Sequence, residues 1–385
     1  MRIVATLPAK GRDLRLDLFR GLANWGIFLD HIPNNVANWI TTRNYGFSDA
    51  ADLFIFISGY TVAFVFARTM IERGFVVGAS RLIKRVWQIY VAHVFLFVFY
   101  LAEIGYLAQK YGKASFADEF NIQGFLSDPA QTLFEGLILR FKPVNMDVLP
   151  LYIVLMGMFP PVLWVMLRKP NLTLLVSALL YVLARQFGWN LPAYPIGVWY
   201  FNPFAWQFLF VFGAWFALGG AGSSMGLIRS KSLLVLGAGY LLFALIITMA
   251  TRYPGLRDLI PANVYGFFIP NDKTNLAPYR LIHFVVFAFL VVRLLPRDWE
   301  GLEWPIFRPA IKCGQQSLEV FCIGIYLSFI AHFILVEVSG TVWMQLLVSI
   351  AGITVMTALA YYRSWSKNID KAPKTVRTNS LSVAA

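Results

Sequence analysis

The chain has 385 residues, 58% hydrophobic and only 14% charged, with a formal net charge of +13 and two cysteines. Soluble domains average about 45–50% apolar and about 25% charged residues, so these proportions exclude an ordinary soluble globular protein. The basic excess lies beside apolar runs, which assigns it to membrane topology and anionic-lipid contact instead of nucleic acid, and Cys313 and Cys322 imply neither a disulfide scaffold nor a metal site.

Hydropathy places ten helical spans, centred on 15–33, 53–70, 84–107, 148–167, 172–187, 204–220, 231–250, 280–296, 314–335 and 341–362. No long apolar run with a small-residue cleavage site opens the chain, so the first span is expected to stay as an anchor. With the N-terminus inside, the inner segments carry 22 Lys and Arg against 10 outside, and Arg20 lies within the membrane. The positive-inside rule then puts both termini in the cytoplasm. The expectation is an all-α polytopic integral membrane protein, a single transmembrane domain over residues 1–365, with a disordered cytoplasmic tail at 366–385. The two halves lack matching broken helices, which weakens a transporter reading.

The first span reads RDLRLDLFRGLANWGIFLDH, and helical spacing puts Asp13, Asp17, Arg20, Asn24 and His31 on one stripe. Charged and imidazole groups inside a span are costly and normally face a protein-lined or watered cavity, so this stripe is the first candidate for the working site. His31 falls near the outer end and is a natural general base at neutral pH. Asp30 precedes it, and Asn34 and Asn35 follow as candidate oxyanion donors.

The second span enters through SDAADLFIFISGY, with Asp49 and Asp52 sharing a face. N-capping explains these acids equally well. Deeper in, Ser58–Gly59 permits close helix approach. At the inner mouth of the third span, Arg81, Lys84 and Arg85 form an i, i+3, i+4 cluster that suits phosphate and also reads as a positive-inside flank. Pro160–Pro161 is expected to kink the fourth span, which Asn145 and Asp147 precede.

Outside, GWNLPAYPIGVWYFNPFAWQ combines Trp199 and Trp206 with Asn202 and Gln207. Such platforms suit sugar rings, and an interfacial aromatic belt accounts for the same composition. Arg280 and His283, at i and i+3, lead into the eighth span, and Arg280 can hold a carboxylate bidentately. In the ninth, Glu319 requires a partner that sequence does not identify.

Together these stretches resemble known families. The segment with Arg12, Leu16, Asp17, Arg20, Gly21 and His31 resembles the opening signature of the membrane-bound acyltransferase-3 proteins. DLFIFISGY, RLIKRVWQIY and GQQSLEVFCIGIYLS resemble their later elements, although no histidine follows Tyr326 directly. Over roughly residues 12–335, blocks such as DHIPNNVANWITTRNYGFSDAADLFIFISGY, DVLPLYIVL, WYFNPFAWQ and RLIHF are similar to the OpgC family, which succinylates osmoregulated periplasmic glucans.

The resemblance implies a membrane-bound acyl-CoA-dependent O-acyltransferase of the bacterial inner membrane. Succinyl-CoA would be the donor substrate, with no permanently bound cofactor, and a periplasmic glucan the acceptor. His31, Asp30, Arg20, Asn34 and Asn35 would then be catalytic. Donor groups would be Arg81, Lys84, Arg85, Ser58, Arg280 and His283, with Arg20 or Arg280 as counter-charge to the succinyl carboxylate. Asp49, Asp52, Asp147, Trp199, Asn202, Trp206 and Gln207 would bind the acceptor. An acetyl donor, an acyl-histidine intermediate, a glucan transporter and a non-catalytic scaffold stay open, as does oligomeric state.

Overall fold

Asp13 starts the first helix by accepting a hydrogen bond from the Arg15 amide, and α1 runs Leu14–Asp30. It stops where Pro33 approaches, because a residue before proline is biased away from helical backbone. In the computed structural model, which describes residues 3–7, 11–112, 114–220, 222, 224, 226 and 229–369, the chain is built almost wholly from helices. One isolated antiparallel bridge, Pro192 to Val198, is the only β-pairing among the described residues.

After two short 3-10 turns, Val36–Ile40 and Thr42–Asn44, comes α2, Ala50–Lys110. Its 61 residues contain both the second and third expected spans, and the break between them is Gly74, at φ 84°. Only glycine adopts that backbone without strain. Three short helices follow, α3 Ala114–Glu119, α4 Gln123–Ser127 and α5 Pro129–Leu137. Then come α6 Val148–Met166, which continues through Pro160 and Pro161, α7 Pro170–Phe187 and α8 Pro203–Trp215.

The second half holds α9 Lys231–Met249, short α10 Pro254–Arg257 and α11 Ala262–Phe268, and α12 Pro278–Leu294. It closes with α13 Arg308–Gln315, α14 Ser317–Glu337 and α15 Val342–Ile369. The ninth expected span is therefore interrupted at Gln316, which puts Cys313 and Cys322 on different helices, both as free thiols. The final helix passes the expected domain limit at 365 and reaches Ile369, while residues 370–385 lie outside the described residues.

Seven helices among the described residues are long and apolar enough to cross a membrane, α2 being one of them. The helices at the first and eighth expected spans, α1 and α12, are shorter, at 17 residues each. The fold is an all-α membrane protein.

Glycines set how closely the helices pack. A Cβ at Gly21 would lie 1.8 Å from the Ala310 carbonyl oxygen, and one at Gly314 would lie 1.8 Å from that of Asp17. Helices α1 and α13 therefore meet backbone to backbone. Gly59 and Gly213 do the same for α2 and α8, against the carbonyls of Phe210 and Phe56. Small residues allow this approach in membranes, where van der Waals contact and not water exclusion holds helices together.

Candidate functional site

The inner part of the α1 stripe is consumed by packing. Asp17 is buried and accepts from Arg12 Nη2 (3.1 Å), Arg20 Nη2 donates to Thr61 Oγ1 (2.7 Å), and Asn24 Nδ2 donates to Ser317 Oγ (3.1 Å). None of these residues lines the large cavity at the other end of the helix. Arg20, expected to be catalytic, instead ties α1 to α2.

The outer end of α1 is different. Helices α1, α2, α6 and α12 and the loops between them surround a cavity of about 1080 Å³. Its wall includes Asp30, His31, Ser48, Asp49, Asp147 and Arg280, together with Tyr194, Tyr200 and Phe201. Loop contacts hold this wall together: the Tyr194 amide donates to the Arg140 carbonyl (3.0 Å) and the Asn202 amide to that of Thr274 (3.1 Å).

His31 is the residue immediately after α1, and its backbone N–H still donates to the Ile27 carbonyl (3.0 Å), so the helix fixes where the ring begins. The buried Nδ1 of the ring has no hydrogen-bond partner among the described residues. Buried polar nitrogens are rarely left so, and the residue that carries this one lines the cavity. Asp30, expected to orient this imidazole, is held elsewhere: Thr41 Oγ1 donates to Asp30 Oδ1 (2.7 Å). The 100° step between neighbouring helix positions separates the two side chains.

Asp49 and Asp52 form a reciprocal capping box at the start of α2, as the capping alternative anticipates. They also enclose a cation. Arg280 Nε donates to Asp52 Oδ1 (3.0 Å), Nη2 contacts both Asp52 and Asp49 Oδ2 (2.9 Å to Asp49), and Nη1 donates to the Phe47 carbonyl (2.8 Å). Lys273 Nζ completes the group against Asp49 Oδ2 (2.7 Å). Arg280, expected to meet a donor carboxylate, is thus saturated by two carboxylates of the chain itself. His283 is bound to Ser48, whose Oγ lies 2.7 Å from Nδ1, so it supports the wall from behind.

The aromatic and amide run is also redirected. Asn202 is fully buried, caps α8 through the Phe204 amide (3.0 Å) and donates to the Trp189 carbonyl (2.7 Å). Trp206 is fully buried and donates to the Lys273 carbonyl (3.0 Å), while Gln207 Oε1 accepts from Ser177 Oγ (2.6 Å). Trp199 is covered by the Lys142 ammonium, 4.0 Å above its ring. These four form the scaffold behind the cavity, and Tyr194, Tyr200 and Phe201 supply its aromatic face.

Asn35 is likewise structural, donating to Ser349 Oγ (2.9 Å) and capping through the Ala37 amide (3.1 Å), and Asn34 occupies a left-handed turn at φ 56°. Neither reaches the cavity wall. The basic cluster lies after the α2 break, where Arg81 Nη1 donates to Thr69 Oγ1 (3.3 Å) and Arg85 Nη1 to Gln88 Oε1 (3.1 Å). All three basic side chains are exposed. Ser58 is buried in the α2 interior. Glu319 finds its partners in Arg363 (3.2 Å) and Lys367 (3.6 Å).

Five cationic residues of the wall were not among the expected site residues: Arg43, Arg140, Lys142, Arg252 and Lys273, which face the cavity from four separate loops. Their isolation in the sequence carried no periodic signal. Burial pushes the Lys142 ammonium down to about 8, against the pull of Asp147. It also pushes the Asp147 carboxyl up to about 6, with Lys142 and Lys273 opposing.

The family model described as OpgC protein matches residues 12–368. No curated protein matches the chain, and no solved structure does.

Proposed function

The chain belongs to the OpgC family, and from that premise we propose that it transfers a succinyl group from cytoplasmic succinyl-CoA to hydroxyls of a periplasmic glucan. Family membership supports a glucan-modifying acyltransferase role at the coarse level. The finer reading rests on one observation, the His31 imidazole in the wall of a large, polar, aromatic-lined cavity.

In this reading the chain crosses the bacterial inner membrane ten times with both termini in the cytoplasm, as the Lys and Arg distribution favours. The cavity then opens towards the periplasm, and Arg81, Lys84 and Arg85 meet the phosphates of coenzyme A at the cytoplasmic face. The pantetheine arm carries the thioester to His31. The imidazole accepts the proton of a glucosyl hydroxyl as its oxygen attacks the thioester carbonyl. The carbon–sulfur bond breaks, and the departing thiolate takes the proton from the imidazolium. Tyr194, Tyr200 and Phe201 offer stacking faces to sugar rings.

The test is acyl transfer by purified protein in liposomes, with labelled succinyl-CoA on one face and glucan on the other. Labelled ester formed in that trans arrangement, and lost in His31→Ala, is the expected result. Glucan crossing unmodified at a rate indifferent to donor would make the protein a transporter.

A further inference from the structure

The cavity is unbalanced in charge, with six cationic side chains facing it against three carboxylates. Three of the six are neutralised within the fold: Arg280 and Lys273 by Asp49 and Asp52, and Arg140 by Glu135 (3.2 Å). Arg43 and Arg252 make no salt bridge within 4 Å among the described residues, although the Asp30 carboxyl lies within electrostatic reach of Arg43. Arg43 Nη1 donates to the Asp30 carbonyl (3.4 Å), and Arg252 Nη2 donates to Asn44 Oδ1 with its guanidinium 4.3 Å from the Trp39 ring centroid.

Both arginines line the same cavity. Asn44 follows Arg43 in the chain, is buried, and is fixed by donating Nδ2 to the Asn38 carbonyl (2.7 Å). It holds Arg252 against the loop segment that carries Arg43. Both arginine side chains stay exposed, and each keeps N–H donors unused. Two guanidiniums on one cavity wall, neither locked in a salt bridge, have the donor forks to take a planar oxyanion.

Position identifies where that anion comes from. The carbonyl that Arg43 touches belongs to the peptide bond leading into His31. A group held there sits beside the reacting atoms, which suits the far end of a short acyl chain. The phosphates of coenzyme A are separated from the thioester by the whole pantetheine arm.

We infer that Arg43 and Arg252 seat a carboxylate carried by the acyl group, and so select a dicarboxylic over a monocarboxylic donor. The inference rests on the acyl-transfer reading above. Its test compares succinyl-CoA with butyryl-CoA, which has the same carbon count and no free carboxylate, using the full chain in liposomes and a neutral glucan.

Arg43→Gln and Arg252→Gln each lower the succinyl-to-butyryl ratio of kcat/KM by about tenfold or more, the loss expected for a charge-assisted hydrogen bond, and Arg43→Lys restores part of it. Because the ratio is taken within one preparation, partial misfolding cancels. A ratio that stays within about twofold of wild type overturns the inference alone, on the same scale of one hydrogen bond. A selectivity change that follows carboxylates placed on the glucan, and not on the donor, also overturns it. A wild-type protein that transfers no acyl group from either donor overturns the functional reading itself.

Discussion

The two ends of α1 carry comparable polar residues and have opposite fates. At the inner end Asp17, Arg20 and Asn24 each bond to a side chain from another segment, so their polarity serves to join helices. At the outer end His31 lines a large cavity. Polar residues in a membrane helix are therefore a poor guide to chemistry until their surroundings are known. An unpartnered buried atom is no better guide, since Asn24 Oδ1 and His31 Nδ1 both lack a partner among the described residues; what marks the working end is the cavity beside it.

The largest effect that separates these ends comes from steric change at the inner one. Gly21→Leu drives a side chain into the Ala310 backbone and should abolish accumulation of folded protein, read by size-exclusion profile in detergent. A normal profile would mean that the inner end tolerates slack. Next is His31→Ala, expected to reduce acyl transfer about 10²- to 10⁴-fold, the usual worth of a general base, with an unchanged melting profile. Equal loss of stability and activity would place His31 with the structural residues instead.

Arg280→Met tests a third behaviour, a buried cation at the outer end that is fully used. It strands Asp52 and leaves Asp49 to Lys273 alone, and should destabilise the protein by about 3–5 kcal/mol in thermal unfolding. Adding Asp52→Asn should return part of that loss; no recovery would deny the pairing its energetic role.

The smallest effect concerns Asp147. Its carboxyl binds a proton more tightly in the folded chain, at about 6 against an ordinary 3.8, so ionisation opposes folding. That penalty is absent below 3.8, grows between 3.8 and 6, and is complete above. Asp147→Asn should therefore raise the melting temperature slightly at pH 7.5, with the gain fading as pH falls towards 3.8. A gain independent of pH would assign it to packing.

The helices were legible because apolar runs long enough to cross a bilayer leave few alternatives. So was the capping role of Asp49, a matter of local geometry. The internal partners of Trp206 and Gln207 were not legible, because composition does not say whether an indole or amide turns towards a cavity or into the scaffold. Arg43, Arg140, Lys142, Arg252 and Lys273 were missed for another reason. They come together only through tertiary folding of four separate loops, and no spacing rule connects them.

The paired glycines of α1 and α13 also have a mechanical consequence. Each helix presses on the other's carbonyls at Ala310 and Asp17, a latch that resists axial sliding and rotation of α1. His31, at the far tip of that stiff rod, behaves as a fixed anvil. Under the proposed acyl transfer, travel across the bilayer would be left to the flexible partner in the encounter, the pantetheine tether, whose reach and not any stroke of the protein would govern whether the two sides of the membrane are chemically joined.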